Sequence, residues 1–245
     1  MFGICILPVI PMRKTKSDSS EMINQILFGE TFKIKKDEKK WALIELTHDK
    51  YTGWICKKQF QLIKEIPKKN KISNKTYCNI KVNNISQPLI LGSLIPYSKK
   101  YCNNLGINSN LEFFPLNNFN FWFMKIAKKY LNSPYLWGGR TPLGIDCSGY
   151  TQLGYRFFGI NLPRDSYQQA KKGKKIKSVE KSKLGDLAFF STKNKITHVG
   201  IVLKDKKIIH SSGKVRIDLL DDKGIFNKKM NTYTHQLSFI KRLSK

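Results

Sequence analysis

The stretch Tyr135-Leu-Trp-Gly-Gly-Arg-Thr-Pro-Leu-Gly-Ile-Asp-Cys147-Ser-Gly-Tyr150 constrains this chain more than any other. Its glycines and Pro142 force tight turns. Residues 148–158 behind them carry apolar side chains at helical spacing, with Gly159 as a stop. The pattern predicts a loop that delivers Cys147 to a helix N-terminus. Unpaired backbone N–H groups and the helix dipole there favour a thiolate and can hold a developing oxyanion. An inert, buried thiol is the ordinary state of a core cysteine, and it is the reading for Cys5, Cys56, Cys78 and Cys102. The rigid turn and the flanking Asp146 and Ser148 set Cys147 apart.

A thiol nucleophile needs a base, and the chain has four histidines. His198 opens His-Val-Gly-Ile-Val-Leu, and His210 closes Lys-Ile-Ile-His after a turn at Lys204-Asp205-Lys206. If that turn makes a hairpin, Leu203 faces Lys207, His210 faces Gly200, and His198 lies diagonal to His210 on the same face. One imidazole can then orient the other. His48, in a loop, and His235, in a polar tail, have no such support from the sequence.

Upstream, residues 1–63 show short apolar runs separated by Gly, Asp and Lys turns, the pattern of a small antiparallel β domain. Residues 64–117 read as a Lys/Asn/Ser-rich linker followed by a second, abbreviated β module. Residues 118–132 have helical periodicity and open a third region running to residue 245.

Net charge is +28, which invites a polyanion partner. Only six of the 45 basic residues are Arg, however, and the lysines scatter over the whole chain. Base readout and phosphate clamps favour Arg, so nucleic-acid binding ranks last. No apolar stretch reaches the length of a membrane-spanning helix. The apolar N-terminus lacks a basic flank and contains prolines, so it reads as a first strand rather than an export signal. Five cysteines without zinc spacing fit reduced thiols in a cytoplasm; a secreted or periplasmic location is the alternative.

Two resemblances sharpen this. Gly29-Glu30, Trp41 and Gly53-Trp54-Ile55 make the first 60 or so residues similar to a bacterial SH3-like domain. The blocks Y-x-W-G-G-x-T-P-x-G-x-D-C-S-G, L-P-R-D-S-x-x-Q, G-D-L-x-F-F, H-V-G-I-V-L and I-H-S-S occur in that order over about residues 119–245. Together they resemble the NlpC-type, papain-like cysteine peptidases. The resemblance implies an α+β fold, with helices packed on an antiparallel sheet behind SH3-like β-barrel modules. Position by position it implies Cys147 as nucleophile, His198 as general base, His210 as the residue orienting it, and Tyr135 at the oxyanion site. It implies substrate contacts at Asp165 and Ser166, with Asp146 and Ser148 beside the nucleophile counted with them. Glu21 and Tyr51 of the SH3-like domain are candidates for the amine of a free N-terminal L-Ala.

The nearest kind within the family is the γ-D-glutamyl-L-diamino acid endopeptidase of murein peptide recycling, acting on a small peptide as a monomer. That resemblance implies no metal or organic cofactor, and no membrane or nucleic-acid partner. Two rival readings stay open: a secreted hydrolase of the intact wall, and a catalytically inert module that binds wall peptides.

Overall fold

The computed structural model describes residues 1–108 and 119–243. The part of the expected linker and second β module between 109 and 117, and the first residue of the expected helix at 118, lie outside the described residues. The chain divides into two compact units: Met1–Pro115 with Trp137–Pro142, and Leu116–Leu136 with Leu143–Lys245.

In the first unit, alternating apolar residues build a seven-stranded antiparallel sheet. Its order is Met22–Leu27, Val9–Arg13, Thr52–Cys56, Trp41–Leu46, Thr31–Asp37, Phe2–Ile4, Gln61–Ile63. The strand Trp41–Leu46 shows the cause: Ala42, Ile44 and Leu46 point inward and are fully buried, while the residues between them are partly exposed. With Ile10, Met12, Ile26, Phe32 and Ile55 they form one core. A second core, around Phe28, Ile80, Leu89 and Ile107, lies under the strands Tyr77–Val82, Ile85–Ile90 and Ile107–Asn108.

The segment Trp137–Pro142 is fixed inside this unit. Gly138 has φ +74°, and a Cβ there would lie 2.4 Å from the Met22 carbonyl oxygen, so only glycine fits. Arg140, fully buried, donates to both carboxylate oxygens of Glu30 at 2.8 and 2.9 Å.

In the second unit, seven antiparallel strands run in the order Lys174–Ile176, Thr232–Arg242, Leu187–Thr192, Lys195–Val202, Lys207–Ser212, Lys214–Leu220, Gly224–Asn227. The helix Cys147–Arg156 packs on the central strands Lys195–Val202 and Lys207–Ser212. It ends at Arg156, two residues short of the expected end, and Gly159, the expected stop, follows at φ +76°. The expected helix near 118–132 spans Phe119–Lys128. The sheet outweighs the helices: the four α-helices of the described residues hold 6, 10, 10 and 4 residues, so the α+β description holds only in part. Among the described residues, no helix is long and apolar enough to cross a membrane.

Candidate active site

The loop before Cys147 is shaped by a few backbone bonds. The Tyr135 N–H donates to Gly213 O at 2.9 Å, and the Ile145 N–H donates to Pro134 O at 3.0 Å. The Ser211 hydroxyl donates to Ile145 O at 2.7 Å, tying the end of a central strand to the entry of the helix. Asp146 caps that helix, its Oδ1 accepting from the Gly149 N–H at 2.7 Å. Cys147 is therefore the first helical residue, as the Gly-rich pattern predicts.

Asp146 and Ser148, expected as substrate contacts, make hydrogen bonds within the fold. Arg164 donates to Asp146 Oδ1 and to Ser148 Oγ, both at 2.9 Å, and also to Asp146 Oδ2. All three residues are buried. Gln169 completes the brace, its amide donating to Ser148 O at 3.0 Å and Pro163 O at 2.9 Å while its Oε1 accepts from Thr151. Arg164 and Gln169 thus hold the helix start from the L-P-R-D-S-x-x-Q block, a role the sequence reading does not assign. Asp165 occupies the N-cap of the short helix Ser166–Gln169, where the Gln168 side chain accepts from the Asp165 N–H at 3.4 Å. Both Asp165 and Ser166 remain partly exposed.

The expected hairpin register is the observed one: Ile201 faces Ile209 and Val202 faces Ile208. His198 Nε2 lies 2.8 Å from His210 Nδ1. Gly200 makes room for this, since a Cβ there would sit 2.7 Å from Ile208 Cδ1 and 2.9 Å from His210 Cβ. Gly200→Ala is expected to cost about 1–3 kcal/mol through overpacking. A denaturant titration checks it, and an unchanged midpoint contradicts the close packing.

The sulfur of Cys147 receives the backbone N–H groups of Val199, the residue after His198 on the strand Lys195–Val202, and of Ser148. The lowered thiol pKa expected at a helix N-terminus is not found. Burial first, then the Asp146 charge, push the thiol from its ordinary 9.0 up to about 12. That rise corresponds to about 4 kcal/mol. A helix dipole supplies about 0.3–1 kcal/mol and up to about 2, so burial wins. The Tyr135 phenol is likewise pushed up to about 12, by burial first and then by the charges of Cys147 and Asp146, so it is a neutral donor.

Three further residues join the histidines. Asp218 Oδ2 lies 2.9 Å from His210 Nε2, and Arg216 Nε pairs with the same oxygen at 2.8 Å. His235, which the sequence leaves in a polar tail, stacks on His198 with ring centroids 4.2 Å apart. Among the described residues, no group of His, Cys, Asp and Glu side chains is arranged to hold a metal ion.

All three imidazoles are held below their ordinary 6.5. Burial is the leading cause for each; Asp218 opposes it at His210, and His235 falls to about 4. The unfolded chain protonates these rings near pH 6.5, and the folded chain only at lower pH. Between those limits the unfolded state binds more protons, so stability is whole above about pH 6.5 and is lost as the pH falls. The melting temperature is expected to drop between pH 7 and pH 5, and His198→Gln to flatten that drop. A slope that His198→Gln leaves untouched contradicts the assignment.

Two expected site residues lie in the first unit. The Glu21 carboxylate accepts from Lys14 Nζ at 3.0 Å and from Trp137 Nε1 at 2.8 Å. These two bonds, Lys14 first, lower its pKa. Tyr51 packs against the core of the same unit.

Known proteins match these same regions. The NlpC/P60 family model matches residues 132–234, and the bacterial dipeptidyl-peptidase SH3 domain model matches residues 12–60. A gamma-D-glutamyl-L-lysine dipeptidyl-peptidase of Bacillus cereus is 39% identical over 88 residues, covering 35% of this chain and 26% of that protein. A probable endopeptidase p60 of Listeria monocytogenes is 41% identical over 85 residues, covering 35% of this chain and 17% of that protein. The chain thus spans about a quarter or less of the length of these curated relatives. In fold, a crystal structure of an NlpC/P60 family protein from Bacillus cereus aligns with TM-score 0.80 over 99% of each chain, at 18% identity. Residues 132–234 are therefore an NlpC/P60 domain, preceded at residues 12–60 by a bacterial dipeptidyl-peptidase SH3 domain.

Proposed function

We propose that the chain is a cysteine peptidase that hydrolyses the γ-D-glutamyl–L-diamino acid bond of peptidoglycan-derived peptides through a thioester on Cys147. The observation that carries this reading is the set formed by the Cys147 sulfur at the Val199 backbone N–H, next in the chain to His198, and the contact of His198 with His210. Burial keeps both thiol and imidazole uncharged at rest, so the attack and the proton transfer belong together. Sγ bonds to the γ-carbonyl carbon while its proton passes to His198. The developing oxyanion meets the helix-terminal N–H groups and the Tyr135 phenol. The imidazolium then gives its proton to the leaving amine of the diamino acid. Water hydrolyses the thioester with His198 as base, and Cys147 regains its proton.

The glutamyl–diamino acid substrate is supported by the name of the Bacillus cereus relative, which specifies lysine. The diaminopimelate peptide is the form the sequence resemblance implies. Asp165 and Ser166 are the substrate contacts of this reading, and Glu21 and Tyr51 its contacts to the free L-Ala amine. The substrates of this reading are small free peptides in the cytoplasm.

The test presents purified protein with L-Ala-γ-D-Glu-diaminopimelate, its lysine analogue and intact sacculi. Release of the free diamino acid from either short peptide, faster than any release from sacculi, is the expected result. Release from sacculi alone overturns the recycling assignment, and release from none overturns the peptidase reading.

A further inference from the structure

Beyond the three residues the sequence points to, the array continues to a carboxylate. We propose that Asp218, anchored by Arg216, is a positioning residue that fixes the proton arrangement of both imidazoles and leaves His198 Nδ1 as the bare basic nitrogen. The inference rests on the reading of His198 as general base.

The proton arrangement follows from the carboxylate outward. Asp218 Oδ2 lies 2.9 Å from His210 Nε2, and the Arg216 side chain sits 2.8 Å from the same oxygen. These neighbours hold the carboxyl below its ordinary range, against the opposing effect of burial, so it is ionised and only accepts. His210 Nε2 must therefore donate. A neutral imidazole carries one N–H, so His210 Nδ1 has a lone pair to offer. Its partner at 2.8 Å is His198 Nε2, which must donate in turn. His198 Nδ1 is then the acceptor left for the thiol proton. Each polarity is dictated by the one before, and the sequence of choices starts at Asp218.

Other neighbours do not compete for this role. His198 is faced by His235, stacked at 4.2 Å, by Phe190 at 5.7 Å and by His210, and it feels the Arg216 charge as well. The His235 ring uses Nδ1 on Thr234 Oγ1 at 2.9 Å. His210 is faced by Asp218, Arg216, His198 and His235. Asp218 is the carboxylate of that group. When the thiol proton reaches His198 Nδ1, the new positive charge sits one imidazole away from Asp218, which stabilises it.

The test is nitrogen-15 NMR of the histidine rings in the full chain at rest, above pH 7, in wild type and in Asp218→Ala. The expected wild-type result is the Nε2–H tautomer at both His198 and His210. Asp218→Ala is expected to shift at least one ring towards Nδ1–H. A wild-type Nδ1–H tautomer at either ring overturns the proposal, and so do unchanged tautomers in the variant. The wild-type spectrum decides the matter even if Asp218→Ala does not fold.

Kinetics supply the second readout. Asp218→Ala is expected to lower kcat about 10–100-fold with KM within about twofold, since the lost charge acts only as His198 becomes cationic. The acid limb of kcat/KM is expected to move to lower pH, because the carboxylate that favours the protonated ring is gone. An unmoved limb with full kcat contradicts the role. The tautomers are read without substrate, so an inactive wild type with the expected tautomers would defeat the peptidase reading and not the proton arrangement.

Discussion

His198→Ala is expected to lower kcat/KM on a γ-D-glutamyl–diamino acid peptide by about 10³–10⁴-fold, the scale on which removing a base from a nucleophile–base pair acts. The size follows from the resting state of the site. Cys147 is buried and its thiol is pushed up to about 12, so almost no thiolate exists near neutral pH without a proton acceptor. His198 is the imidazole whose neighbour on the strand, Val199, donates its N–H to that sulfur. His210→Ala should cost less, because it removes the orienting partner and leaves the base. Steady-state kinetics on both variants check the order. Equal losses would assign the proton transfer to the pair as a unit, and a larger loss at His210 would contradict this division of roles.

Arg164→Met is expected to destabilise the second unit by about 3–5 kcal/mol, because it leaves the buried Asp146 carboxylate without its cation. For a chain of this size that is a fall in melting temperature of about 10 °C. The effect reaches the chemistry as well. Asp146 caps the helix that begins with Cys147, and Arg164 also holds the Ser148 hydroxyl. Arg164→Lys should recover only part of the loss, since an ammonium cannot reproduce the bidentate geometry. Thermal melts of the two variants test this, and a Met variant as stable as wild type would show that the pair adds nothing net.

Much of the site is legible in the sequence where turn chemistry sets geometry. The Gly-rich turn and the helical pattern put Cys147 at a helix start, and the three-residue turn at Lys204-Asp205-Lys206 sets the register that brings His198 to His210. The same arithmetic applied to the next turn, Ser212-Gly213-Lys214, puts Arg216 opposite His210 and Asp218 diagonal to it, as observed. Those two residues are within reach of the sequence, although no motif singles them out.

His235 is not within reach. The strand Thr232–Arg242 arrives beside His198 through two register shifts, one at Phe189/Phe190 and one at Ile225/Phe226. A bulge moves side chains between faces and leaves no pattern of period two to follow. The thiol pKa departs from its expected direction for a related reason: a helix terminus can be read from the chain, but the burial that outweighs it depends on the packing of distant strands. The buried partner of Asp146 illustrates the same limit, since Arg164 lies 18 residues away, beyond the helix Cys147–Arg156 and the loop after it.

The most direct measurement is the release of the diamino acid from L-Ala-γ-D-Glu-diaminopimelate and from its lysine analogue, by wild type and by Cys147→Ala side by side. Cys147 as the thioester-forming nucleophile predicts turnover by wild type on at least one of the two peptides, with an acyl adduct on Cys147 detectable by intact-mass measurement. It predicts neither turnover nor adduct in the variant. Cleavage by Cys147→Ala at the wild-type rate, or a wild type inert on both peptides, would contradict it.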